Sequence, residues 1–215
     1  LNGYELININ STSSTMDEAK EYLKKNNKNC IILANRQTKG RGRRNNLWES
    51  PYGNIYCSIS FNNFLKVEEN FLFSMLIAVS IKQSLENFKA KNIKFKWPND
   101  IYYKNKKFAG IIAETFQVSN LKKFIVLGFG ININSSPKIK NYPTTFVNSF
   151  CKFNDFYDYL LIYFKLIFIN LNNLISNKSR NLINEYKKNL LFLNTKIKVK
   201  LNDNSLLIGK FIGIN

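Results

Sequence analysis

The chain of 215 residues can hold one domain of ordinary size with a small appendage, and 45% hydrophobic residues supply a full core. Lysine and arginine total 32 against 14 acidic residues, a formal net charge of +18 that favours anionic partners. Histidine is absent, which excludes serine–histidine and cysteine–histidine catalysis and any histidine-ligated metal.

Residues 4–9 alternate polar and apolar side chains as a strand does. Ser14 or Thr15 caps the helix that follows, Glu18 completing a capping-box pattern with Thr15, and this helix runs to about Asn26. Residues 30–34 form a short apolar strand, and 54–61 another, entered through the turn Ser50-Pro51-Tyr52-Gly53. Residues 71–88 carry helical periodicity at Phe71, Met75, Ala78, Val79 and Leu85. Strands follow at 93–97 with 101–103, at 108–116 and at 124–131, with Lys104-Asn105-Lys106 as a tight turn. A loop over 134–145 holds Pro137 and Pro143, and helices are expected at 154–174 and 179–189. Strands at 195–201 and 206–212 form a hairpin around Asp203-Asn204. Helices inserted between hairpin-like runs predict an α+β architecture, a mixed, largely antiparallel sheet with helices packed on one face. Residues 1–190 are read as the main domain and 191–215 as the start of a small, incomplete β domain.

The three cysteines, Cys30, Cys57 and Cys151, make no CxxC pair, so neither a zinc site nor a disulfide framework is indicated and a reducing compartment fits. The apolar run 156–171, interrupted by Asp158 and Lys165, is too short to span a bilayer comfortably and reads as a core helix. No membrane partner is expected. The chain starts at Leu1, so upstream sequence and any targeting information are expected to be missing, and the cytoplasm or an organelle such as a plastid is the expected compartment. The excess charge has a bland reading too: lysine, asparagine, isoleucine and phenylalanine abound throughout, as in a coding sequence rich in A and T, which makes the charge compositional drift on a solvated surface.

Four clusters fall at strand ends and loops. Ser13-Ser14-Thr15 opens the first helix. Gly40-Arg41-Gly42-Arg43-Arg44, with Gln37 before it and Trp48 after it, crowds three guanidiniums that repel one another unless an anion offsets the cost. Arginine's planar fork suits carboxylate and phosphate oxygens, and tryptophan offers a flat face for a purine. Lys96-Trp97-Pro98-Asn99-Asp100 is completed by Lys107-Phe108-Ala109-Gly110. In Gly128-Phe129-Gly130-Ile131-Asn132, two glycines let a ligand lie against strand backbone.

In this order the clusters resemble the catalytic domain of biotin protein ligases, also called biotin–[acetyl-CoA-carboxylase] ligases, over roughly residues 9–134. The resemblance implies a fold like that of the biotin ligases and class II aminoacyl-tRNA synthetases, with a C-terminal SH3-like β domain. It implies that biotin and MgATP give biotinyl-5′-adenylate and pyrophosphate, and that biotin then passes to a lysine of a biotin carboxyl carrier domain, with that of acetyl-CoA carboxylase as the expected carrier. Arg41 and Arg43 match the positions that hold the loop over biotin and the phosphates. Lys107 matches the lysine that reaches the biotin carboxylate and the α-phosphate. Trp48 matches the residue that packs on adenine. Ser14, Thr15 and Gln37 match polar contacts around the biotin ureido ring, and Gly40, Gly110, Gly128 and Gly130 match positions of close backbone approach. Asn132 corresponds to a nucleotide contact. Asn99, also on the ATP side, and Asp100 lie where the acceptor lysine arrives, Asp100 being placed to orient or deprotonate its amine. Arg44 is read either as a salt-bridged support of the loop or as a ligand contact.

Met16 departs from the asparagine that the resemblance implies, so one polar contact near biotin is expected to be absent. No helix-turn-helix pattern is present, and the aromatic residues lie in apolar periodic segments rather than among basic ones, so no nucleic-acid partner is expected. A lipoate or octanoate ligase of the same superfamily is the nearest rival, and it lacks this arginine loop with its tryptophan. The sequence leaves a homodimer open.

Overall fold

Seven strands in which one side-chain parity is buried against helices make the centre of the molecule. They are β1 (Glu5–Ile9), β2 (Cys30–Ala34), β3 (Ile55–Asn62), β4 (Ile93–Lys96), β5 (Asp100–Tyr103), β6 (Lys106–Ser119) and β7 (Lys122–Ile131). The structure, a computed structural model, describes residues 3–119, 122–153, 155–176, 178–200 and 205–214. Strand order is β1-β2-β3-β7-β6-β5-β4, with β1 parallel to β2 and every other neighbour antiparallel. The expected mixed, largely antiparallel sheet is therefore observed. Lys104 and Asn105 turn β5 into β6 with φ of 43° and 63°, the doubly positive pair that a two-residue hairpin requires.

Four helices cover the sheet: α1 (Thr15–Asn26), α2 (Phe71–Asn87), α3 (Phe156–Ile175) and α4 (Arg180–Lys188). The last three share one face and one large core with Ile31, Cys57, Ile59, Ile111, Leu127 and Phe129. α2 is apolar almost all round because it lies between the sheet and the outer helices. Its small polar residues are satisfied locally, Ser80 donating to the Leu76 carbonyl and Ser84 to that of Ile81. α1 lies on the opposite face, where Met16, Ala19 and Leu23 pack with Cys30, Ile32, Phe124 and Val126. Three helices thus pack on one face and α1 covers part of the other.

The capping box expected at the start of α1 does not form. Ser14 is the N-cap without a side-chain bond, Glu18 accepts from Thr12 Oγ1 at 2.6 Å, and Thr15 turns to Gln37. Tertiary partners outcompete the local cap. α3, expected over 154–174, runs for 20 residues and ends at Ile175, with Tyr157 N–H capped by Asp155. By length and composition it would reach across a membrane; its inner face instead buries Tyr159, Tyr163, Ile167, Leu171 and Leu174 in the core. The expected start at Asn154 lies outside the described residues.

β8 (Lys196–Lys200) and β9 (Leu206–Lys210) form a separate two-stranded sheet, and the turn expected at Asp203-Asn204 lies outside the described residues. At its base Asn194 N–H donates to the Phe211 carbonyl, and Phe211 and Ile214 rest on the main core.

Candidate active site

The site begins with side chains that are missing. On the α1 face of the two central strands, β6 carries Gly110 and β7 carries Gly128 and Gly130, with Gly110 directly opposite Gly130 in register. The alternate residues Ile111, Phe129 and Ile131 bury themselves on the other face. Where α1 stops covering the sheet, these glycines leave a floor with no side chains of its own. Above it opens a cavity of about 530 Å³, within the range that small-molecule sites occupy.

Three segments wall this floor. The first is the start of α1, where Ser14, Thr15 and Met16 line the cavity. Thr15 donates through its backbone N–H (2.9 Å) and its hydroxyl (3.1 Å) to Gln37 Oε1, and accepts from Ser58 Oγ at 2.8 Å. Gln37 donates onward to Ser50 at 3.1 Å. Met16 packs on Gly128, whose Cβ, were it present, would lie 2.7 Å from the methionine sulfur. An apolar thioether therefore lines the cavity at this point of the wall.

The second wall is the arginine loop. Trp48 N–H donates to the Gly40 carbonyl and Gly42 N–H to that of Asn46, pinching the loop around a short turn in which Arg44 takes φ of 56°. Arg41 makes a two-pronged pair with Asp17 of α1, 3.0 and 2.8 Å, and Arg43 reaches Asn99 Oδ1 at 3.4 Å. Arg44 lines the cavity and makes no ion pair among the described residues, so of its two sequence readings the salt-bridged support is not seen and the ligand contact stays open. Trp48 lies down on the floor. A Cβ on Gly110 would meet its ring at 3.0 Å and one on Gly130 would lie 2.5 Å from its Cε2, and its Nε1 is buried without a hydrogen-bond partner among the described residues.

The third wall holds a buried cation. Lys107 is 9% exposed, with its Nζ 2.7 Å from Asp100 Oδ1, close in charge but out of hydrogen-bond alignment. The same Nζ lies 5.2 Å from the centre of the Trp48 ring and 5.3 Å from that of Tyr142. Asn99 is fixed by donating to the Ile111 carbonyl at 3.1 Å.

Of the residues singled out from sequence, the structure gathers Ser14, Thr15, Gln37, Arg41, Arg43, Trp48, Asn99, Asp100, Lys107, Gly110, Gly128 and Gly130 around one cavity. Gly40 and Asn132 are not among its lining residues. Gly40 is needed elsewhere, since a Cβ there would lie 2.5 Å from the Trp48 carbonyl oxygen. Asn132 is buried and ties β7 to the 134–145 loop, donating to the Thr145 carbonyl at 3.2 Å. Sequence reasoning missed Ile139, Asn141 and Tyr142 of that loop, which close the cavity from above. The available signal was the position of Tyr142 before Pro143, which narrows its backbone freedom without announcing a site. Thiol chemistry has no place here. All three cysteines are buried, burial pushing Cys30 up to about 11 and Cys57 and Cys151 upward, so they stay protonated at neutral pH.

The model of the Biotin/lipoate A/B protein ligase family matches residues 8–132, more than half of the chain. The chain belongs to this family. Among curated relatives, the bifunctional ligase/repressor BirA of Bacillus subtilis is 31% identical over 137 residues, 63% of this chain and 42% of its own. The biotin–protein ligase of Schizosaccharomyces pombe is 33% identical over 152 residues, 59% of this chain and 23% of its own. The chain thus spans less than half the length of either. The biotin protein ligase of Aquifex aeolicus, solved with biotin and ATP, superimposes with a TM-score of 0.78 at 26% identity, over 98% of this chain and 88% of that one. The resemblance read from the four motifs is borne out, and those that build the floor and walls lie inside the matched span.

Proposed function

We propose that the chain is the catalytic domain of a biotin protein ligase that activates biotin with ATP and passes it to a lysine of a carrier domain. The observation that carries this reading is the glycine floor on which Trp48 and Met16 lie, flanked by the buried Lys107–Asp100 pair on one side and the arginine loop on the other. In the first step a biotin carboxylate oxygen attacks the α-phosphorus of ATP, the bond to the β-phosphate oxygen breaks, and pyrophosphate leaves. Two anions must approach, so cations have to offset their repulsion. Lys107 supplies a point charge at the junction of carboxylate and α-phosphate, while Arg41 and Arg43 supply donors to the phosphates. Arg41 exchanges Asp17 for the ligand as it does so. Ser14, Thr15 and Gln37 form a polar end for the ureido ring, and Trp48 an aromatic face for adenine.

Magnesium enters as part of the MgATP substrate. Among the described residues no cluster of three histidine, cysteine, aspartate or glutamate side chains forms a cage of its own, and this ion commonly binds through substrate phosphates. In the second step the acceptor amine attacks the acyl carbon, AMP leaves, and the amine gives up a proton. Asp100 stands beside Lys107 to orient that amine. A biotin carboxyl carrier domain of acetyl-CoA carboxylase is the expected acceptor, and the protonated thiols fit a reducing compartment. The test is exchange of labelled pyrophosphate into ATP, which should depend on biotin. Exchange driven by lipoate or octanoate alone would assign the chain to the other branch of its family.

A further inference from the structure

We propose that Tyr142 is a positioning residue that holds the ammonium of Lys107 in place and ties that lysine to the 134–145 loop; the proposal rests on the biotin-ligase reading above. A lysine is a flexible four-carbon stem ending in three rotatable donors, and fixing it costs considerable rotamer entropy. Asp100 constrains the Nζ of Lys107 from one side only, at 2.7 Å. Two aromatic faces constrain the rest, Trp48 at 5.2 Å and Tyr142 at 5.3 Å from the charge, within the range at which a ring attracts a cation.

The two rings have different owners. Trp48 belongs to the arginine loop, whereas Tyr142 belongs to a segment bonded to Lys107 itself. Lys107 N–H donates to the Pro143 carbonyl at 2.9 Å, and Thr145 N–H donates to the Lys107 carbonyl at 2.9 Å. The other end of the loop is anchored by Asn54, whose Oδ1 accepts the backbone N–H groups of Ile133, Asn134 and Ser135 at 2.8, 3.0 and 3.3 Å. Strung between these anchors, the loop carries Tyr142 to the lysine on a backbone of defined register. The tyrosine hydroxyl makes no hydrogen bond to the described residues, so the ring alone performs the task.

The experiment compares Tyr142→Phe, which keeps the ring, with Tyr142→Leu, which keeps bulk without a π face. Biotin-dependent pyrophosphate exchange in the phenylalanine variant should stay within about twofold of wild type, while the leucine variant should lose about tenfold in kcat with little change in KM for biotin. Independently of activity, acetylation by an amine-reactive ester, followed by mass spectrometry at Lys107, should accelerate severalfold in the leucine variant and not in the phenylalanine variant. Lys82, buried and paired elsewhere, reports an intact fold by staying protected. If leucine unmasks Lys82 as well, Tyr142→Met provides the same contrast. Equal losses in the phenylalanine and leucine variants, or no change in either, overturn the proposal. Absence of exchange in wild type would sink the ligase reading instead, and Lys107 labelling would then decide the cage by itself.

Discussion

At the scale of single residues, the site depends on atoms that are absent. A Cβ on Gly130 would lie 2.5 Å from Cε2 and 2.9 Å from Cζ2 of Trp48, a rigid ring that can yield only by leaving the floor. Gly130→Ala should therefore cost about tenfold or more in pyrophosphate exchange, overpacking being worth about 1–3 kcal/mol. Gly128→Ala meets a methionine, whose free rotation absorbs the intrusion, and should cost less. Steady-state kinetics on the two variants checks the order, and an equal loss would contradict it. Both glycines were legible in the sequence because their spacing of two puts them on one face of a strand. Tyr142 was not, because a loop has no period to betray which residues point inward.

At the scale of elements, α2 and α4 are joined by a charge. Lys82 of α2 is 7% exposed, with its Nζ 2.6 Å from Glu185 and 2.7 Å from Glu86. Burial pulls its pKa down, yet the hydrogen bonds to Glu185 and Glu86 outweigh this and leave it raised. A raised lysine stabilises the fold fully below its unfolded pKa of about 10.4, and the contribution disappears as pH climbs through the higher folded value. Lys82→Ala should lower the unfolding free energy by about 3 kcal/mol at neutral pH, measured by urea titration, with Lys82→Met losing less. The deficit should shrink in strongly alkaline buffer. Helix positions were readable here from periodicity, whereas this pairing was not, since Lys82 and Glu185 are 103 residues apart. The failed capping box at α1 has the same cause. Thr15 and Glu18 have the right spacing for each other, and both are taken by partners that only the folded chain supplies.

At the scale of the whole molecule, charge is poorly balanced. Ion pairs among the described residues engage Lys20, Lys24, Arg41, Lys82 and Lys107, against 32 basic residues in the sequence. Most cations therefore repel one another through solvent, and salt screens that repulsion within a Debye length of about 10 Å at 0.1 M. The melting temperature should rise between low and moderate sodium chloride, by about 2–4 °C for each kcal/mol gained. A fall would mean that the few surface pairs outweigh the unpaired majority. The α+β class was legible because hairpin runs and their turns are local events. The partial cover of the second face was not, since which side of a sheet a helix chooses depends on register across strands far apart in sequence.

That register has an evolutionary corollary. Gly110 faces Gly130, Ile112 faces Gly128 and Ser58 faces Gly128, so the floor is assembled from three strands held in step. A single-residue insertion between Gly110 and Gln117 would put the two ends of β6 out of step, so that with the hairpin end held in register Gly110 would no longer face Gly130. The irregularity between Gln117 and Ser119 sits near the hairpin end, where a change of length can be absorbed before it reaches the floor. Related chains should therefore vary in length at the tip of this hairpin and keep a fixed residue count along its shaft.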